Sequence, residues 1–196
     1  VNDNASPSLQ ATAGLVVNIT AVNDTPTLAA PTPIALTDTV ADDSFSDSTG
    51  TMVGADRDSG TTLTYGISGG TDSTLTVSKT GIYGTLTVTK ASGTYTFVAN
   101  ATAINALSAS TSETFTVSVN DNASPSLQAT AGLVVNITAV NDTPVLSAVT
   151  PGTVLEQNQS ANTTDTALQG TLSGTDADDA TLTYGIQGET AAGGLV

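Results

Sequence analysis

The chain has 196 residues, and its three basic side chains (Arg57, Lys79, Lys90) against eighteen acids give a formal net charge of -15; such a field repels phosphate backbones and anionic lipid surfaces and favours cations as partners. There is no Cys and no His, which removes thiol catalysis, Ser-His-Asp chemistry, disulfides and the usual zinc, copper and haem ligands. Any bound metal must be held by oxygen, and no apolar run reaches the roughly 18 to 20 residues of a membrane-spanning helix.

The first 26 residues, VNDNASPSLQATAGLVVNITAVNDTP, recur unchanged at 119 to 144, an offset of 118 residues. That period is longer than the roughly 20 to 50 residues of solenoid repeats and matches a whole domain, so each repeat is expected to hold its own core. Looser echoes continue the register: GTMVGADRD at 50 to 58 answers GTLSGTDAD at 170 to 178, and LTYGI stands at 63 to 67 and at 182 to 186. The expected organisation is the C-terminal strand or strands of a preceding repeat at 1–24, a complete repeat at 25–142, and the N-terminal part of a following repeat at 143–196. The last part, lacking its second half, is not expected to fold stably by itself.

Along the chain, LVVNITAV (15 to 22), PIALTD (33 to 38), GTMVGAD (50 to 56), TLTYGIS (62 to 68), TLTVSK (74 to 79) and TLTVTK (85 to 90) read as strands. TYTFVA (94 to 99), ETFTVSV (113 to 119) and the second LVVNITAV (133 to 140) complete the set. Most of them alternate Thr or Ser with an apolar residue, the period of a half-buried strand. About eight strands per repeat predict an all-β fold of tandem antiparallel β-sandwiches. The predicted core is Leu63, Tyr65, Ile67, Leu75, Val77, Leu86, Val88, Tyr95, Phe97, Phe115, Val117, Leu133, Val135 and Ile137. In NATAINAL (100 to 107), Ala101, Ile104 and Leu107 share a helical face, predicting one short helical turn per domain. Tyr65 and Tyr184 are also read as core.

The acids gather at predicted loops. Asp56 and Asp58 form a D-x-D pair, Asp176 and Asp178 form its counterpart, Asn23-Asp24 and Asn141-Asp142 precede a Thr-Pro, and Asp38 and Glu156 each fall 14 residues after a linker aspartate. Calcium takes about six to eight oxygens from several loops, and a D-x-D pair in an extended segment places two carboxylates on one side. Asp42, Asp43 and Asp47 have no counterpart in the next repeat and are read as a solvated acidic loop, with a weak local ion site as the alternative, and Asp72, Asp165 and Asp179 are read as solvated acids. The N-x-S/T sequons are assigned no function.

VNDTP as a linker, then VLEQ, then GTDADDATLTYGI resembles the cadherin pattern. Within that superfamily the chain is most similar to the bacterial cadherin-like domains called VCBS repeats, found in giant RTX-type surface adhesins. GIYGTLTV, GTYTFVANATAINAL and SETFTVSVND carry the same likeness. The resemblance implies calcium at two junctions, one using Asn23, Asp24, Asp56 and Asp58 with Asp121 as a further candidate, the other using Asp38, Asn141, Asp142, Asp176 and Asp178. Glu156 would be the strand acid of the following repeat. An acidic Asp-Arg-Glu segment of cadherins is absent here, its place taken by NATAINAL, which argues for one ion rather than several at each junction.

The implied function is a calcium-rigidified extender of a secreted bacterial surface adhesin or fibre, serving cell adhesion or biofilm attachment by spacing. Its partners would be calcium ions and neighbouring repeats, with no nucleic acid and no membrane insertion. The alternative is a carbohydrate-binding module or a homophilic, filament-forming one, partnered by surface glycans or by copies of itself. Four Tyr, three Phe and no Trp, mostly at predicted core positions, weigh against a glycan site. Enzyme activity is not expected, since hydrolysis without His or Cys needs paired carboxylates in a cleft.

Overall fold

The computed structural model describes residues 1–150 and 170–187. Its elements are β1 (Thr27–Leu28), β2 (Ile34–Thr37), β3 (Ser48–Thr51), β4 (Gly54–Ala55), β5 (Thr64–Ile67), β6 (Thr71–Asp72) and β7 (Thr76–Thr80). They continue with β8 (Gly84–Thr89), β9 (Thr94–Ala99), α1 (Ala101–Asn105), β10 (Thr111–Asn120), β11 (Gln128–Thr138), β12 (Val145–Leu146) and β13 (Gly174–Thr175).

Two sheets form a sandwich. One has the order β2-β11-β10-β5 and the other β3-β9-β8-β7-β6; every pairing is antiparallel except β2 on β11, which is parallel. The alternation of Thr with apolar residues sets which face is buried. In β8, Leu86 and Val88 are buried while Thr85, Thr87 and Thr89 remain partly exposed, and Leu133, Val135 and Ile137 do the same for β11. The two inner faces meet at Phe97 of β9 and Phe115 of β10, whose rings stand edge to face at 5.9 Å. Burying each such side chain contributes about 1.5–3 kcal/mol, so a core built mainly of Val, Leu and Ile depends on their number.

Helix α1, five residues long, is far too short to persist by itself. Asn100 caps its start by accepting from Ala103 N at 3.3 Å, and Ile104 is fully buried against the sandwich. The core holds this turn of helix in place, at the end of the sandwich where the chain crosses from β9 to β10.

Several expectations are corrected. Residues 15–22 form no strand and are exposed, although the identical residues 133–138 lie within β11; the reason is partners, since β11 is hydrogen-bonded to β10 on one side and β2 on the other, and 15–22 have neither. GTMVGAD divides at buried Met52 into β3, which pairs with β9, and β4, which pairs with β1. Leu75 is 73% exposed rather than core, because it stands just before β7 begins and right parity does not supply a facing neighbour. Tyr184 is 45% exposed: its hydroxyl accepts from Gly174 N at 2.9 Å, as the Tyr65 hydroxyl accepts from Gly54 N at 3.1 Å. Among the described residues, a strand neighbours Tyr65, where Val119 of β10 stands opposite it, and none neighbours Tyr184. Leu63 is partly buried, and the core also takes in Ile34, Leu36, Met52, Ile104 and Val119.

Candidate cation sites at the two acidic clusters

The first cluster forms where the segment at 23–24 meets the loop after β4. Asp24 N donates to Asp58 Oδ2 at 2.7 Å, and Asp58 N donates to Asp56 Oδ1 at 2.7 Å, so the D-x-D pair closes a turn that receives the incoming chain. The Asn23 amide donates to Asp121 Oδ2 at 2.7 Å and to the Pro125 carbonyl at 3.0 Å. Asp121 Oδ1 accepts from Leu127 N and Ala123 N at 2.9 and 3.1 Å. Burial pushes the Asp121 carboxyl up, but the donors from Leu127, Asn23 and Ala123 outweigh it and hold the group below its usual range. Both Asp121 oxygens are therefore engaged, and the oxygen of this cluster left buried without a partner is Asp56 Oδ2. The Asp24 carboxylate is exposed; the fold engages this residue through its backbone.

The second cluster is drier and less satisfied. Asp38, just past β2, is 1% exposed and Asp142 is 4% exposed. Asp38 Oδ2 accepts from Val140 N at 3.4 Å, and Asp178 Oδ2 accepts from Asp142 N at 3.4 Å. Asp176 Oδ1 accepts from Asp178 N at 3.2 Å and from Asp179 N at 3.0 Å. Four carboxylate oxygens remain buried without a partner, namely Asp38 Oδ1, Asp178 Oδ1 and both of Asp142. Burial, reinforced by the negative charges of Asp38, Asp178, Asp42 and Asp176, pushes the Asp142 carboxyl up. The Asp178 carboxyl is also raised, first by its hydrogen bond with the Asp176 carboxyl and then by burial.

Each orphaned polar group costs about 1–3 kcal/mol, more when charged, so without a counter-charge the ionised form of this cluster is costly. A divalent cation relieves both penalties at once, because it supplies the missing partner and reverses the mutual repulsion. The donor set is one of carboxylate oxygens in a chain without His or Cys, which suits a hard cation such as calcium. Carboxylate oxygens of Asp176, Asp178 and Asp179 lie within 4.8 Å of one another.

The structure thus brings Asn23, Asp24, Asp56, Asp58 and Asp121 into one place and Asp38, Asp142, Asp176 and Asp178 into another. Asn141 is exposed, its amide donating to the Asp142 carbonyl at 3.0 Å. Glu156 and Asp165 lie outside the described residues. Asp179 and Asp42, read as solvated, are both exposed, yet the Asp179 carboxylate stands beside those of Asp176 and Asp178 and the Asp42 charge acts on Asp142. The run of acids in TDADD signals the first proximity, whereas the second arises from the fold.

No protein-family model matches the chain, and no curated protein matches it. Among solved structures it is similar to the protocadherin gammaB4 extracellular domain, at 19% identity over 91% of this chain and 28% of that one, with a TM-score of 0.47. The protocadherin gammaB7 EC3-6 cis-dimer structure is similar at 19% identity, over 91% of this chain and 42% of that one, with a TM-score of 0.46. Mouse cadherin-23 EC22-24 is similar at 18% identity, over 81% of this chain and 45% of that one, with a TM-score of 0.38. The chain spans less than half the length of each of these cadherin extracellular structures.

Proposed function

We propose that the chain is a run of cadherin-like extracellular repeats stiffened by calcium, with boundaries near 1–24, 25–142 and 143–196, that acts as a spacer in a bacterial surface adhesin. The observation that carries this reading is the group of four partnerless buried oxygens on Asp38, Asp142 and Asp178. They come from the end of β2, from the segment after β11 and from the loop after β13, three stretches far apart in sequence. A cation held by all three would lock the segment between repeats, and Asp176 and Asp179 would complete its shell. At the first cluster Asp56 and Asp58 would be the principal ligands, with Asp24, Asn23 and Asp121 beside them.

Near-identical repeats suit a spacer, because copy number then sets length. Calcium-dependent stiffness would also couple folding to arrival in a calcium-rich medium, since an ion that binds only the folded state stabilises it by mass action.

The test is thermal unfolding of the whole chain with millimolar calcium or with chelator. At calcium about a hundredfold above Kd the gain is about 2.7 kcal/mol, which for a chain of this size raises the midpoint by about 5–10 °C. Asp176→Ala/Asp178→Ala should lose most of that rise. An identical midpoint in calcium and chelator would reduce these aspartates to turn residues and remove the stiff-spacer reading.

A further inference from the structure

Helix α1 and the loop after β2 face the loop after β13 across a cleft of about 750 Å³, whose polar wall is Asp42, Asp43, Asn105, Asp142 and Asp176. Two of these groups are buried and short of donors. Asn105 is 5% exposed; its amide donates to Asp42 Oδ1 at 3.4 Å and to the Asp43 carbonyl at 3.2 Å, but its side-chain oxygen accepts nothing. Asp142 is 4% exposed, and neither of its carboxylate oxygens has a donor. The wall is also negative, since Asp42 stands near enough for its charge to act on Asp142. One divalent ion on the Asp38–Asp142–Asp178 group would not neutralise the junction, because Asp42 and Asp43 lie outside that group.

The facing loop explains why the cleft is open. Asp178 N donates to Asp176 Oδ1 and Asp142 N to Asp178 Oδ2, and the earlier repeat builds the same turn with Asp58 N on Asp56 Oδ1 and Asp24 N on Asp58 Oδ2. The middle residue differs. It is Arg57 in the earlier turn, exposed, and Ala177 in the later one, where it lines the cleft. A side chain that ends at Cβ leaves unfilled the place to which the matching turn would carry a guanidinium. The two lysines are engaged elsewhere, Lys90 with Asp72 at 2.7 Å and Lys79 with the Ser68 carbonyl at 2.9 Å.

We propose that this cleft is a binding site for a guanidinium group, brought by an arginine side chain of a partner protein. The planar guanidinium offers five N–H donors and pairs with a carboxylate through two of them, here that of exposed Asp42. Its aliphatic stem would cover Ala101, Ala106 and Val145, which form the apolar side of the cleft. An ammonium is a compact, strongly hydrated point charge without the planar fork, so a lysine side chain fits the same place less well.

The experiment is a titration of the whole chain with N-acetyl-arginine amide in millimolar calcium, followed by backbone-amide NMR, with N-acetyl-lysine amide as the control. Saturating shifts confined to 41–43, 101–106 and 175–177 are expected, with the lysine probe several-fold weaker. Asp42→Asn, at an exposed position, should weaken the arginine probe about tenfold, as loss of one charge-assisted pair does. Ala177→Arg should abolish probe binding and raise the thermal midpoint, and adding Asp42→Asn should cancel that rise; the turn at 56–58 already carries an arginine at this position. Shifts that never saturate, or that appear equally at Asp24, Asp56 and Asp58, would reduce the effect to charge screening and overturn the site. Probe binding that survives Ala177→Arg would overturn it too. The calcium reading is judged separately: an identical midpoint in calcium and chelator removes that reading, whereas the guanidinium site stands or falls on the probe.

Discussion

Residues 1–26 and 119–144 are the same sequence in two surroundings. Their loops agree closely. Asn4 and Asn122 both sit at φ 55°, the left-handed region that Asn tolerates better than most residues. Asp3 Oδ1 accepts from Ala5 N at 3.1 Å and Leu9 N at 2.9 Å, and Asp121 Oδ1 accepts from Ala123 N at 3.1 Å and Leu127 N at 2.9 Å. A few residues on, the copies part: Leu133 is fully buried in β11 whereas Leu15 is 90% exposed and in no strand. Contacts two to six residues apart need nothing beyond the segment itself, while a strand needs a neighbour on each side and a face to cover. The same letters therefore specify the loop wherever they stand and specify the strand only in company.

The largest break in this comparison comes from truncating paired positions. Leu133→Ala should cost about 2–5 kcal/mol in urea unfolding through the cavity it leaves, and Leu15→Ala should change stability by no more than about 0.5 kcal/mol. Equal losses would mean that 15–22 is packed in solution and that the two copies do not differ as described.

Asp121→Ala strips acceptors from two backbone donors and from Asn23 in a buried setting, at about 1–3 kcal/mol for each group left unpaired. Asp3→Ala, on an exposed loop, should register only as faster amide exchange at Ala5 and Leu9. A comparable loss of global stability from both variants would place Asp3 in a folded core.

The smallest effect is a titration. Both carboxyls should titrate below 3.8 by NMR, Asp3 because Leu9 N and Ala5 N donate to it, and Asp121 because its donors outweigh burial. For Asp121 the folded state binds fewer protons than the unfolded one, so its contribution to stability is present above 3.8 and is lost as pH falls through the lowered folded value. An Asp121 that titrates at or above 3.8 would show that burial prevails there.

Much of the sandwich was legible because period-two Thr/apolar alternation is a local signal, and TLTVTK and TYTFVA became β8 and β9 within a residue. What failed were features that need the third dimension. Nothing in GTMVGAD announces that Met52 turns inward while the chain passes from one sheet to another pair. The D-x-D spacing marked Asp56/Asp58 and Asp176/Asp178 as neighbours, but it could not say that Asp121 would be satisfied by backbone donors while Asp142 kept two bare oxygens. Nothing in NATAINAL announces that the Asn105 side chain would be buried and donate to a loop 62 residues earlier, a contact that only the folded chain makes.

The parallel pairing of β2 with β11 sets how the molecule would bear load. Strands β2 and β11 lie side by side and point the same way, with Val135 opposite Ile34 through Thr138 opposite Thr37. Tension applied to the chain on both sides of the sandwich would draw β2 backward by its N-terminal end and β11 forward by its C-terminal end. The four rungs between them would then be sheared together instead of being peeled in turn, so the sandwich would resist stretching along its axis far more than a hairpin opened from one end.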